Sequence, residues 1–165
     1  MKKLILLSLI ALGMNAAALE VGDQAPCVVV NQIQTNNTES EHCIRDHLDS
    51  QKATLMEFFS ITCTSCEQNL PNVINLGSAL APQATTRMIS IDRSVTDVKN
   101  YITKNRQHLP FEIALDSDRD AKAAYGVVAT PTLFVLDKNN TVVFKHMGIL
   151  SAKDISDIET LVQGL

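Results

Sequence analysis

Along the chain, apolar positions fall into short strand-like runs separated by stretches with helical spacing. Residues 54–60 (TLMEFFS) are a short, largely apolar run bounded by polar positions and predict a strand. Residues 64–80 carry Leu70, Val73, Ile74, Leu76 and Leu80 at near-helical spacing and predict a helix, with a kink expected at Pro71. Residues 86–92 (TRMISID) predict the next strand. Ser94 and Asp97 have capping-box spacing and open a helix to about residue 106, with Val95, Val98 and Ile102 on one face. A short strand at 112–115 and a short helix at 118–125, closed by Gly126, come next. Residues 132–137 and 141–146 predict strands joined by a hairpin turn at 138–140. Ser151 and Asp154 then cap a last helix whose apolar face is Ile155, Ile158, Leu161 and Val162. Ahead of all this, 27–34 alternate as a strand, 35–40 are a polar turn, and 41–50 fit a returning strand, a short helix or both.

Strands alternating with helices imply parallel pairing through right-handed crossovers, and the late hairpin adds antiparallel edges. The expected fold class is therefore α/β: a mixed central sheet with helices on both faces. With 165 residues and 45% apolar content, one domain can bury its own core without a dense disulfide scaffold. A net charge of −4 argues against a nucleic-acid binder or a polybasic membrane-surface protein. The N-terminus has the form of a bacterial-type secretory signal peptide. Lys2 and Lys3 precede an apolar run over 4–14, and Ala16 and Ala18 stand at −3 and −1 of a cut after Ala18. That run is shorter than the roughly 20 residues of a membrane span. The expected organisation is a signal peptide at 1–18, removed on export, and one domain over 19–165, placed in the periplasm or secreted without stable membrane insertion. There disulfides can form and persist.

The sharpest chemical signal is Cys63-Thr64-Ser65-Cys66, which follows a predicted strand and opens a predicted helix. Two intervening residues let the first helical turn bring the sulfurs together. Partial positive charge at the helix N-terminus favours a thiolate on Cys63, the species that attacks disulfides. Cys63 is thus the candidate nucleophile, and Cys66, a turn deeper, the resolving thiol. The competing readings are an inert structural disulfide and a metal site. The chain has no second Cys-x-x-Cys, and His42, His47, His108 and His146 are scattered, so neither a metal ligand set nor a cofactor is implied.

The segment Met56-Glu57-Phe58-Phe59-Ser60-Ile61-Thr62-Cys63-Thr64-Ser65-Cys66, with Pro71 beyond it, resembles the active-site segment of thioredoxin-fold proteins. Independently, residues 125–137 (YGVVATPTLFVLD) and Gly148 are similar to the family's cis-proline strand, hairpin and closing glycine. Residues 22–26 (GDQAP) resemble the opening of the secreted TlpA/ResA-like, redoxin-type branch. The resemblance implies a thioredoxin-like three-layer sandwich with an N-terminal β-hairpin extension. It also implies a cis bond before Pro131, packed near the disulfide, with the Thr130 backbone available to pair with a substrate peptide. Glu57 falls where thioredoxins carry a buried acid that exchanges protons with the resolving cysteine, and burial would raise its pKa. The alternative for Glu57 is a strand-edge side chain facing solvent. Departures are several. Asn69 stands where many TlpA-like relatives carry Glu, and Thr62 replaces the usual tryptophan. Met88, beside Arg87, takes the place of a lysine that often partners the acid.

Cys27 and Cys43 lie outside the motif. A hairpin folding near Thr35 brings them close, and a structural disulfide is the plain expectation in an oxidising compartment. A second redox pair relaying electrons to Cys63 and Cys66, or two separate thiols, remain open. The expected function is an extracytoplasmic thiol–disulfide oxidoreductase that reduces disulfides of exported proteins and takes electrons from a membrane or periplasmic donor. The rivals are a disulfide-forming oxidant, a copper-binding metallochaperone using His146, and a peroxiredoxin-type peroxidase. The last lacks its Pro-x-x-x-Thr-x-x-Cys signature here. The DsbA-type helical insertion is also absent from residues 92–110.

Overall fold

A computed structural model describes residues 18–33, 39–46, 49–105, 109–111 and 113–165. The predicted signal peptide, the tip of the first hairpin, His47 and His108 lie outside these, apart from Ala18. Among the described residues, seven strands form one sheet in the order β2-β1-β5-β4-β3-β6-β7. In chain order the elements are β1 (Val29–Ile33), β2 (Glu39–Cys43), β3 (Ala53–Phe59), α1 (Thr64–Ala79), β4 (Ala84–Ser90) and α2 (Val95–Asn105). There follow β5 (Ile113–Leu115), α3 (Asp120–Ala124), β6 (Thr132–Leu136), β7 (Val142–Met147) and α4 (Ala152–Gln163).

The central strands β3, β4 and β5 are parallel, as the strand–helix alternation requires, and β6 and β7 add antiparallel strands beside β3. On the other side, β1 pairs antiparallel with β5 and with β2, so the N-terminal hairpin extends the sheet by two strands. All seven residues of β3 are buried, which explains why its sequence is a near-continuous apolar run rather than an alternating one. Leu55, Glu57 and Phe59 face one side of the sheet and Met56 and Phe58 the other. On the first side, Leu55 packs with Val73 and Leu76 of α1 and Ile158 and Val162 of α4, while Phe59 and Met88 pack with Val98 and Ile102 of α2. On the opposite side, Phe58, Phe134 and Tyr125 form an aromatic triad with centroids 5.3 to 5.9 Å apart, next to Ala121 of α3. The result is the expected thioredoxin-like sandwich.

Several local expectations are refined. The helix α1 runs unbroken through Pro71. Residues 39–43 are strand, where a turn was expected to run to residue 40, because they pair with β1 in the register Val29 to Cys43. Cys27 and Cys43 are bonded, with Cα atoms 5.3 Å apart, and the bond closes the open end of this hairpin. The charged run Asp116-Ser117-Asp118-Arg119-Asp120, at the start of the predicted short helix, contains a buried cap. Asp116 is 4% exposed and accepts hydrogen bonds from the N–H groups of Ala121 (3.0 Å) and Lys122 (2.7 Å). Arg119 has φ 65°, and α3 begins only after it.

Gly77 lies in α1 where a Cβ would sit 2.5 Å from Thr86 Oγ1 and 2.9 Å from Phe111 Cζ. Helix propensity alone favours Gly77→Ala by about 1 kcal/mol. The collision with the stiff Thr86 on β4 costs about 1–3 kcal/mol. The overpacking term is expected to win, so chemical denaturation of G77A should show a net loss of stability rather than the gain an exposed helix site would give.

Candidate active site

The site follows from two strand registers. Phe58 near the end of β3 pairs with Thr132 at the start of antiparallel β6, so the loop leaving β3 lies beside the residues entering β6. Phe59 pairs with Ser90 at the end of parallel β4, which brings Asp92 to the same edge. Thus Cys63, Pro131 and Asp92, distant in sequence, meet at the carboxyl ends of the central strands, where α/β sheets hold their ligands.

Asp92 anchors the loop. Its Oδ1 accepts from Ser60 Oγ at 2.7 Å, and its Oδ2 accepts from the Ile61 N–H at 2.9 Å and Ser90 Oγ at 2.7 Å. The loop then delivers Cys63 as the N-cap of α1, with extended backbone (φ −91°, ψ 110°). Cys63 Sγ accepts from the Cys66 N–H at 3.1 Å, a place ordinarily taken by a Ser or Asp oxygen. Negative charge on this sulfur is therefore met by a backbone donor and by the positive end of the helix dipole. Cys63 and Cys66 are disulfide-bonded, with Cα atoms 5.2 Å apart. Cys63 is partly exposed, whereas Cys66 is 5% exposed. Only the first sulfur is open to an incoming disulfide.

The Thr130–Pro131 peptide is cis. The Thr130 carbonyl oxygen lies 3.5 Å from Cys63 Sγ and accepts from Ser65 Oγ at 3.4 Å, while Ser65 Oγ is also 3.3 Å from Cys63 Sγ. One hydroxyl proton is thus within reach of both the backbone acceptor and the sulfur. Beside Pro131, Val128, Met147 and Ile149 are exposed by 80%, 57% and 43%. On the α2 side a groove of about 280 Å³ is bordered by both cysteines, Leu70, Met88 and Tyr101.

Glu57 is fully buried on β3, between Met88 of β4 and Leu133 of β6, so the solvent-facing alternative does not hold. Its Oε2 accepts from Asn69 Nδ2 at 3.1 Å, and its Oε1 has no partner among the described residues. Burial pushes the carboxyl up to about 8 from an ordinary 4.5, against the opposing pull of the Asn69 hydrogen bond. Arg87 does not serve as the acid's cation. It points to the opposite face and donates to the carbonyls of Ile44 (2.8 Å) and Cys43 (3.4 Å). His146 Nδ1 sits 3.4 Å from Asp154 Oδ1 on α4, and no cluster of three His, Cys, Asp or Glu side chains among the described residues is placed to hold a metal.

Sequence reasoning brought Cys63, Cys66, Glu57, Thr130 and Pro131 forward, and the fold brings the cysteines, Thr130 and Pro131 together at one edge, with Glu57 in the core layer beneath. It missed Asp92, Ser65 and Tyr101. A signal for Asp92 was available: Ser90 and Asp92 are polar positions at the end of a buried parallel strand, where side chains reach the ligand edge.

A Cys-x-x-Cys disulfide capping a helix beside a cis proline, on this sheet, defines a thioredoxin-like thiol–disulfide oxidoreductase. The AhpC/TSA family model matches residues 21–145, and the chain belongs to that family. It is 28% identical over 132 residues to the thiol-disulfide oxidoreductase ResA of Bacillus thuringiensis subsp. konkukian, covering 79% of this chain and 71% of that protein. A thiol:disulfide interchange protein from Bacteroides sp. shares the fold at TM-score 0.68 and 22% identity, over 88% of this chain and 92% of that one. The mitochondrial 2-Cys peroxiredoxin from Plasmodium falciparum shares it at TM-score 0.71 and 16% identity, over 87% and 95%. No helix among the described residues is long and apolar enough to cross a membrane.

The raised acid has a stability consequence. Between about pH 4.5 and 8 the folded chain holds a proton on Glu57 that the unfolded chain releases. Glu57 therefore destabilises the fold progressively as pH rises through that window, and its contribution is most favourable below 4.5. Glu57→Gln keeps an acceptor for Asn69 and removes the charge. Urea unfolding of oxidised parent and E57Q at acid pH and at pH 8.5 should show the variant gaining on the parent by a few kcal/mol at the higher pH.

Proposed function

We propose that the protein works outside the cytoplasm, in the periplasm or as a secreted protein after loss of residues 1–18, and reduces disulfides in exported proteins. The observation that carries this reading is the Cys63–Cys66 pair at the N-terminus of α1, with one sulfur open and the other covered. In the reduced state Cys63 attacks a substrate disulfide, forming a mixed disulfide and releasing one substrate sulfur, which takes up a proton. Glu57 accepts the Cys66 proton. The Cys66 thiolate attacks Cys63, the Cys63–substrate bond breaks, and the second substrate sulfur leaves. Two electrons have passed to the substrate, and the pair is left as the disulfide seen here. A membrane or periplasmic thiol donor then reduces it again.

Thr130 and Pro131 form the docking edge in this reading, with the exposed Val128, Met147 and Ile149 offering apolar contact to an extended peptide. Cys27–Cys43 is a structural staple: it is closed, it ties the ends of an edge hairpin, and a loop of this order contributes about 3 kcal/mol through the unfolded chain. The relatives named as thiol–disulfide oxidoreductases support the chemistry, and the signal-peptide form of residues 1–18 supports the location.

Cys63→Ser should abolish disulfide exchange. Cys66→Ser should accumulate mixed disulfides with exported proteins in an exporting cell, visible on non-reducing gels. A C66S protein that traps nothing would remove the mechanism.

Direction is set by potential. Titration of residues 19–165 in glutathione buffers, with thiols mapped to peptides, should place the Cys63–Cys66 couple below about −220 mV. A value near −120 mV would make the protein an oxidant instead.

A further inference from the structure

Asn69 is 1% exposed and lies on α1 one turn beyond Cys66. The orientation of its amide is set by a donor that cannot exchange roles. The backbone N–H of Leu150 donates to Asn69 Oδ1 at 2.9 Å. Asn72 Nδ2 lies 3.4 Å from the same oxygen and also donates to the Leu150 carbonyl at 3.2 Å. With Oδ1 committed to these donors, the amide nitrogen must face the other way, and there Nδ2 donates to Glu57 Oε2 at 3.1 Å. The two oxygens of Glu57 are consequently unlike. Oε2 is occupied as an acceptor, while Oε1 is buried with no partner among the described residues.

We propose that Asn69 is a positioning residue that selects Glu57 Oε1 as the oxygen carrying the exchangeable proton and sets the pH at which that proton is released. The inference rests on the reading of Glu57 as the proton acceptor for Cys66. A proton on Oε2 would confront the Asn69 N–H, so the neutral acid carries it on Oε1. The same N–H favours the ionised form, because a hydrogen bond to a carboxylate is stronger than one to a neutral acid. In the resolving step the Cys66 proton passes to Oε1 and the carboxylate becomes the acid. The Cys66 thiolate then forms the Cys63–Cys66 bond as the Cys63–substrate bond breaks. The substrate thiolate is protonated, and Oε1 returns its proton to solvent. The acid is also tied to the docking edge, since Gly148 N–H donates to the Pro131 carbonyl at 2.9 Å, two residues before Leu150.

The substitution that separates positioning from packing is Asn69→Asp. It keeps an acceptor for the Leu150 N–H at nearly the same volume, removes the donor to Glu57 and places a like charge beside it. Asn69→Ala removes the donor without adding charge. The Glu57 carboxyl is titrated by NMR in the oxidised protein of residues 19–165. The second thionitrobenzoate release from dithionitrobenzoate, which reports resolution by Cys66, is followed against pH in the reduced protein. The expected order of Glu57 midpoints is parent lowest, N69A higher and N69D highest, with N69D raised by about one pH unit or more. The alkaline rise of the second release should move by the same amount in each variant. A purely structural Asn69 would lower the melting temperature and scale the rate at all pH values without moving either midpoint. Unchanged midpoints in folded N69D or, if that variant does not fold, in N69A overturn the inference. Glu57→Gln distinguishes the two levels. If E57Q leaves the pH profile of the second release as in the parent, the proton-acceptor reading of Glu57 fails, whatever the NMR titration of the Asn69 variants shows.

Discussion

The pairing of β3 between β4 and β6 is the constraint on which the rest depends. Because the strand is covered on both faces, it cannot slip by a residue without moving Glu57 and Leu55 to the aromatic side and Phe58 to the helix side. That register sets where the loop leaves the sheet, and so where Cys63 meets the Thr130 carbonyl. The parallel partner brings Asp92, whose carboxylate holds the loop before Cys63 with two hydrogen bonds, from Ser60 and Ile61, and accepts a third from Ser90 at the end of β4. The reactive sulfur is located by apolar packing several residues away, and only then by polar contacts around it.

Through this apolar layer runs a short polar line: Glu57, Asn69 and the Leu150 backbone. It leaves one carboxylate oxygen, in a fully buried position, without a partner among the described residues. Such a group lowers stability at neutral pH and persists most readily where its protonation is used. The neighbouring Tyr101 feels the same environment. Burial raises its phenol pKa, and the nearby carboxylates of Glu67 and Glu57 raise it further. On the other face, buried Arg87 reaches the carbonyls of Cys43 and Ile44, so the N-terminal hairpin is attached to the central sheet by a charged side chain as well as by β1–β5 pairing.

Two disulfides serve different ends of the same sheet. Cys63–Cys66 spans one helical turn at a helix N-terminus, where a thiolate is stabilised. Cys27–Cys43 closes an edge hairpin, with neither sulfur at a helix N-terminus. In the proposed reading, this difference in setting, rather than the presence of a bond, separates a reactive pair from a structural one.

Element order, the strand–helix alternation, the late hairpin and the Cys-x-x-Cys at a strand-to-helix junction were all legible in the sequence. Each is a local pattern: apolar periodicity, turn residues or a fixed spacing. Cys63 and Cys66 could be assigned roles for the same reason, since their geometry lies within a single turn. Glu57 was conspicuous as a charge in an apolar run, but whether it faced core or solvent depended on strand order, which periodicity does not encode. Tertiary structure alone decided that β3 is central, that Asn69 turns its amide to Glu57 because Leu150 claims its oxygen, that Arg87 faces away, and that Asp92 anchors the loop before Cys63. These are hydrogen bonds from side chains to side chains or backbone groups 12 to 81 residues away. Their formation depends on register and packing between elements, which no pattern within one element specifies.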